Sequence, residues 1–294
     1  MRWTVIPWMM LACAIVASIE VRADGRQQDT RVDVELVLAV DVSFSIGIEE
    51  RDVQRLAYVD AFRSPSITSS ITSGYYRRIA VTYVEWAEAE YQRVVIPWRL
   101  IANPADAARF ADDLETAPVH RSGATSISAA LRFSAALFRD NGYQSDRLII
   151  DISGDGPNND GEPVSMARDA LDALGITVTA LPLASAESEL TPEELTSYYH
   201  ACVATGPGSF TLPATSTEDF ALAMQRKMVA EITRYPSPLM PRHPVIRIWR
   251  VSIDKVDCLM GERQRREEYF NMLLDLTNGR PERWQPDSKT WPVP

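Results

Sequence analysis

The sequence predicts an α/β fold: an open, doubly wound, mostly parallel sheet with helices on both faces, followed by a short C-terminal extension. Three observations lead there. Short apolar runs rich in Val and Ile recur along the chain, bounded by turn residues, as strands buried on both faces require. Longer segments with helical apolar spacing and capping residues stand between them, which is the alternation that builds parallel sheets. No self-similar period of roughly 20 to 50 residues is present, which excludes solenoids and propellers.

Residues 34–42 (VELVLAVDV) form the first strand. Residues 49–62 follow as a helix with Val53, Leu56, Ala57, Val59, Ala61 and Phe62 on its apolar side. Residues 79–86 (IAVTYVEW) and 91–98 (YQRVVIPW) are the next strands. Pro97 suits the latter to a sheet edge or a strand end, because proline has no N–H for a ladder. Asn103 and Pro104 supply a cap and a pre-set first residue for a helix reaching Thr116. There follow a helix over 126–139, a strand over 147–152 (RLIIDI), a helix over 162–174 closed by Gly175, and a strand over 177–183. A helix over 192–204, a short strand over 209–212 and a helix over 217–234 complete the set. The last helix has acidic residues at its start and basic ones toward its end, which suits the helix dipole.

Composition divides the chain. Residues 24–234 carry 18 Lys and Arg against 31 Asp and Glu, whereas residues 235–294 carry 10 against 8 and hold 8 of the 19 prolines. The boundary falls in 235–244 (YPSPLMPRHP), where prolines deny the chain both helix and central strand. Within 235–294 a strand over 245–256 and a helix over 261–276 are expected. Sixty or so residues make a marginal core alone, so the extension should dock on the main domain or stay partly disordered.

Residues 1–23 read as a secretory signal peptide. Arg2 gives a positive start, residues 5–17 are almost wholly apolar, and Val21-Arg22-Ala23 suits a signal peptidase. The apolar run is shorter than the roughly 20 residues that span a bilayer. Lipid attachment at Cys13 is the weaker alternative, since Met10, Leu11 and Ala12 lead into it poorly. The mature protein is expected to be secreted or periplasmic, without stable membrane insertion. Cys202 and Cys258 would then meet an oxidising compartment, where a disulfide and a buried free thiol are both open.

A net charge of −10 argues against nucleic acid as a partner. Three cysteines and three histidines, His120, His200 and His243, supply no structural zinc set, so any metal must use oxygen ligands. Open α/β sheets bind ligands where their parallel strands stop. There stand Asp41-Val-Ser43-Phe-Ser45 after the first strand, Gly123-Ala-Thr125 ahead of a helix, and Gly154-Asp155-Gly156 after strand 147–152. Singly, each is an ordinary turn or cap residue. Together, two carboxylates and three hydroxyls make a hard-oxygen set for Mg²⁺, or for Mn²⁺ or Ca²⁺.

On these residues the sequence resembles von Willebrand factor type A domains, a Rossmann-like family, over about residues 34–234. Asp41-x-Ser43-x-Ser45, Thr125 and Asp155-Gly156 match that family's metal-ion-dependent adhesion site (MIDAS). The segments VTYVEWA, VIPW, GATSIS, DISGDGPNNDG and ARDALDALGITV look still more like a bacterial group of secreted A-type domains of unestablished function. The resemblance implies that Asp41, Ser43 and Ser45 form the first metal loop, Thr125 the second and Asp155 the third. It implies a protein partner whose acidic side chain completes the ion's coordination.

Other residues have plainer readings. Glu85 and Trp86 end a strand near the site rim; Trp86 reads as core, and a supporting role for Glu85 is the less favoured reading. Asp151 lies inside an apolar strand and requires a buried partner. Asn158, Asn159, Asp160 and Gly161 hint at a calcium loop, but Gly156 stands where its first acidic ligand belongs, so a turn is expected. The motifs G-x-S-x-G, G-x-x-x-x-G-K-[ST] and G-x-G-x-x-G after the first strand are missing. A Mg²⁺-dependent phosphohydrolase is the alternative, with only Arg121 near the loops to meet a phosphate. A metal-independent structural module is a third reading. Mass spectrometry of the exported protein is expected to find Asp24 at the N-terminus; an intact Met1 would contradict the signal reading.

Overall fold

The computed structural model describes residues 29–183, 190–214, 217–233 and 256–278. The expected signal peptide, Cys13, the boundary at 235–244 and all but Val256 of the expected strand over 245–256 lie outside the described residues. In chain order the strands are β1 (Thr30–Arg31), β2 (Glu35–Asp41), β3 (Ile79–Trp86), β4 (Gln92–Ile101), β5 (Tyr143–Gln144), β6 (Leu148–Gly154) and β7 (Thr177–Pro182). The helices are α1 (Ile48–Arg63), α2 (Pro65–Thr72), α3 (Pro104–Thr116), α4 (Ile127–Ala136), α5 (Val164–Ala173), α6 (Pro192–Tyr198), α7 (Thr217–Ile232) and α8 (Met260–Thr277). A π-helical turn, Tyr199–Val203, continues α6. Among the described residues no helix is long and apolar enough to cross a membrane.

The main sheet has the order β4-β3-β2-β6-β7, parallel except where β4 runs against β3. Every residue of the central strand β2 is buried. Alternate side chains face opposite layers, as the two-residue period of a strand dictates. Leu36, Leu38 and Val40 pack with Tyr58 and Phe62 of α1, Phe110 of α3 and Met224 of α7. Val37 and Ala39 pack with Leu131 of α4, Leu171 of α5 and Tyr198 of α6. This is the doubly wound fold that the alternation of strand and helix predicts. Pro97 lies in a bulge of β4: Val81 pairs with Arg99 and Tyr83 with Ile96, and the Thr82 hydroxyl donates to the Ile96 carbonyl at 2.8 Å.

Three elements depart from expectation. Helix α2 (PSITSSIT) forms where no element is expected: Ser64 caps it, Pro65 starts it, and Ile67 and Ile71 anchor it in the core. Its hydroxyls turn back onto the helix, as in Ser70 Oγ to the Ser66 carbonyl at 2.8 Å, which removes their competition with the backbone. The short strand over 209–212 is instead an irregular segment. Its backbone flanks β7 through Ala180 N–H to the Phe210 carbonyl and Leu212 N–H to the Ala180 carbonyl, both 3.0 Å, with a single bridge at Thr211. Gly206, Pro207, Gly208 and Pro213 interrupt any longer ladder. The helix over 126–139 ends at Ala136.

The partner that Asp151 requires is Lys227. This lysine is wholly buried on α7, with Nζ 2.5 Å from Asp151 Oδ1, an ion pair lacking hydrogen-bond angles. Lys227 also donates to Glu231, and to Thr179 at 2.9 Å, while the Thr179 hydroxyl donates to Glu231 at 2.5 Å. Two carboxylates thus share one ammonium beneath the sheet, fastening α7 to β6 and β7. Removing the lysine would strand two buried carboxylates, at a cost of about 3–5 kcal/mol.

The extension joins this body. Val256, Cys258 and Met260 pack on the α4–α5 face, and Cys258 is disulfide-bonded to Cys202 in the π-helical turn. A closed loop of 56 positions is worth about 4 kcal/mol in the chain-entropy account.

Burial pushes Glu231 from its ordinary 4.5 up to about 8, Asp151's charge adding to the rise, while Lys227 and Thr179 pull it down. The folded state therefore holds a proton that the unfolded chain has lost across that interval. Stability from this group is full below pH 4.5 and is lost as pH rises through 8. Chemical denaturation between about pH 5 and about pH 9 is expected to show a decline in the wild type that Glu231→Gln reduces.

Candidate functional site

Because β2 and β6 are parallel neighbours, their C-terminal ends reach the same edge of the sheet, and Asp41 and Asp155 stand side by side there. Asp41 is wholly buried and Asp155 nearly so. The chain turns at once after Asp41: the Ser43 amide donates back to Asp41 Oδ1 at 2.8 Å. Ser43 Oγ and Ser45 Oγ are 2.9 Å apart, and Ser45 Oγ donates to Asp155 Oδ1 at 2.7 Å. Four of the five expected residues therefore form one hydrogen-bonded chain running from carboxylate to carboxylate.

Asp41 Oδ2 is buried without a hydrogen-bond partner. Burial, then the adjacent Asp155 charge, pushes this carboxyl well above the usual carboxylate range, against the pull of Ser43 and the Asp155 amide. The floor is tightly built. A Cβ on Gly154 would lie 2.5 Å from Tyr199 Oη and 2.9 Å from Asp41 Oδ2. Tyr199 Oη donates to the Gly156 carbonyl at 3.1 Å. Burial, with the charges of Asp41 and Asp155 adding, pushes its phenol well above the ordinary value, so it stays protonated.

Thr125, the fifth residue, is buried on the loop before α4. That loop is laid against the first by Ser122 N–H to the Val42 carbonyl and Phe44 N–H to the Gly123 carbonyl, both 3.1 Å. Its other side is pinned by the third loop, where Thr125 N–H donates to Asn159 Oδ1 and Asn159 N–H to the Thr125 carbonyl, both 2.9 Å. Asn158 Oδ1 accepts from the Ser128 amide at 2.9 Å and Asp160 Oδ2 from the Ala89 amide at 2.8 Å. In place of the expected turn, the Asn-Asn-Asp run is an irregular loop that bends at Asp160, and each of its side chains cross-links a neighbouring segment.

Glu85 has a separate role. It pairs with Arg55 and lies 3.4 Å from His120 Nδ1, and burial raises its pKa against the pull of Arg55 and His120. Trp86 is core. His120 Nε2 is 2.7 Å from Arg93. Arg121 donates to the Phe44 carbonyl and stacks its guanidinium 5.1 Å from the Phe44 ring centre. Sequence reasoning missed Tyr199, since it falls within an expected plain helix over 192–204 and the π-helical turn is not visible in the sequence. It also missed Glu88, whose Oε1 accepts from the Ser122 hydroxyl at 2.7 Å. Among the described residues no group of three or more His, Cys, Asp and Glu is gathered to hold a metal; the Asp41 cluster has two such side chains and depends on hydroxyls.

Residues 31–236 match the family described as "Protein of unknown function (DUF1194)". No protein of curated function matches the chain. Among solved structures, proximal thread matrix protein 1 from the mussel byssus, crystal form 2, aligns over 69% of this chain and 49% of its own, with 16% identity and a TM-score of 0.52. The same mussel protein with a zinc-occupied MIDAS motif aligns over 69% and 48%, with 16% identity and a TM-score of 0.48. The pilus adhesin SpaC from Lactobacillus rhamnosus GG aligns over 70% and 31%, with 15% identity and a TM-score of 0.48. The chain thus spans about half the length of the mussel protein. The likeness to crystal form 2 is one of fold.

The Gly154 floor yields a double-mutant test. Gly154→Ala is expected to destabilise the protein by about 1–3 kcal/mol, the cost of overpacking a closed site. In a Tyr199→Phe background, where the nearest obstructing oxygen is gone, denaturation should show a smaller loss.

Proposed function

We propose that this chain, which belongs to the DUF1194 family of proteins of unknown function, is a secreted or periplasmic protein-binding module of adhesion type. In this reading the domain proper spans 24–234 and the segment 235–294 extends it. A divalent cation held by Asp41, Ser43, Ser45, Thr125 and Asp155 captures an acidic side chain of a partner protein.

The observation that carries the reading is Asp41: a buried carboxylate with one oxygen lacking a hydrogen-bond partner, crowded by a second carboxylate at the edge of the sheet. Such a pair is relieved by a cation, and the surrounding donors are all hard oxygens, which suits Mg²⁺ first and Mn²⁺ or Ca²⁺ next. A bound divalent ion supplies a positively charged coordination position for an incoming carboxylate. The protein's own residues set how positive that position is. Asp41 and Asp155 bring two negative charges, while Ser43, Ser45 and Thr125 bring neutral oxygens, so the ion's charge is only partly offset. Gly154 and Tyr199 close the floor, which leaves access from the loop side.

A phosphohydrolase would need cationic groups presented to a phosphate. Arg121 is instead engaged with the backbone and ring of Phe44, so we assign no enzymatic role to the site.

Calorimetric titration with Mg²⁺ and Mn²⁺ tests the reading. The wild type is expected to bind, Asp41→Ala to lose binding altogether, and Thr125→Ala to bind about tenfold more weakly, the worth of one polar contact. Equal heats in wild type and Asp41→Ala, or no binding in either, would return the five residues to turns and caps.

A further inference from the structure

The C-terminal extension begins its helix directly on the third loop of the site. Three contacts join them. Glu262 Oε1 accepts from Asn158 Nδ2 at 2.9 Å, Arg265 Nη1 pairs with Asp160 Oδ1 at 3.2 Å, and the same nitrogen donates to the Asn159 carbonyl at 3.2 Å. The helix lies so close that a Cβ on Gly261 would be 2.3 Å from the Asn158 carbonyl oxygen and 2.9 Å from its carbon. Gly261 is buried in that contact. Just ahead of the helix, Cys258 is bonded to Cys202, in the same π-helical turn as Tyr199, which reaches Gly156. The residues that α8 grips are those whose side chains hold Thr125, Ser128 and Ala89 by their amides.

We propose that α8 is a disulfide-anchored brace that fixes the third loop, and through Asn159 the position of Thr125 relative to Asp41. Glu262 and Arg265 are positioning residues, and Gly261 permits the close seating. The disulfide keeps the start of α8 at high effective concentration over its seat, as a tether does for any weak contact. A dithiol reductant opens the tether by exchange: the Cys202–Cys258 bond is reduced to two thiols while the dithiol closes to its own disulfide. The site is thereby sensitive to the redox state of its compartment. The effect on ion affinity rests on the function proposed above; the effect on the loop does not.

Hydrogen exchange on the full chain separates the two. The readout is the amides of Thr125, Ser128 and Ala89, with those of Val37 and Ala39 in β2 as a control for global opening. Gly261→Ala puts in a better helix former, so faster exchange there would come only from the clash with Asn158. We expect about tenfold faster exchange at the three amides in Gly261→Ala, in Glu262→Ala/Arg265→Ala and after dithiothreitol, with the β2 amides unchanged. Glu262→Gln retains an acceptor for Asn158 and should retain protection. Unchanged exchange at all three amides in both the glycine and the double variant overturns the brace. In parallel, Mn²⁺ affinity should fall about tenfold in the double variant. Loosened amides with no Mn²⁺ binding in the wild type uphold the brace and overturn the ion reading. Loosened amides with unaltered Mn²⁺ affinity overturn the coupling between them.

Discussion

A strand whose seven residues are all buried, as in β2, has no place along its length for an unpaired charge. Polar chemistry is therefore displaced to the point where the strand stops, or into clusters that neutralise themselves. Both solutions occur in this protein. Asp41 stands at the last position of β2 and meets Asp155, the residue just past the end of the neighbouring parallel strand β6. One strand over, Asp151 could not be displaced in that way, and it is met from below by Lys227 of α7. The parallel pairing of β2 and β6 aligns the two ends and so fixes the spacing of the carboxylates.

The loops above that edge hold one another. The first and second are laced by backbone hydrogen bonds, and the second and third by the amide side chains of Asn158 and Asn159. Asparagine suits this role because its carbonyl accepts while its NH₂ donates, so one residue can serve two segments. Asn158 does both, accepting from Ser128 and donating to the Glu162 carbonyl and to Glu262. A structure built in this way places neutral ligands with the precision of a rigid element even though they reside on loops.

Much of this was legible in the sequence where local chemistry and tertiary role agree. Runs such as VELVLAVDV declare a buried strand, and Asp41, Ser43, Ser45 and Asp155 are readable because the ends of parallel strands are where such sheets concentrate polar groups. The failures have a common physical form. Helix α2 hides because Ser and Thr usually compete with helix, and only its tertiary anchors Ile67 and Ile71 and its back-bonded hydroxyls reverse that preference. Lys227 hides because a lysine near a helix end reads as a solvated cation, and one beside Glu231 at i+4 reads as an ordinary surface pair, while the second carboxylate, Asp151, lies far away in the chain. Tyr199 hides because a single π-helical turn shifts its angular position. Thr125 is legible only as a hydroxyl on a loop that leads into a helix, and the resemblance to A-type domains adds to that reading.

Neither long edge of the sheet offers a clean row of backbone donors and acceptors. On one side β4 is broken by the bulge at Pro97 and carries Arg93 and Arg99; on the other, the segment around Thr205 to Ala214 lies along β7 and uses up its outer groups. Exposed edges are templates for another chain's strand, and proteins blunt them with prolines, bulges and charges. Copies of this chain crowded together are thus denied the commonest route to edge-to-edge aggregation. Among the described residues, strand addition at these two edges is disfavoured for the same reason.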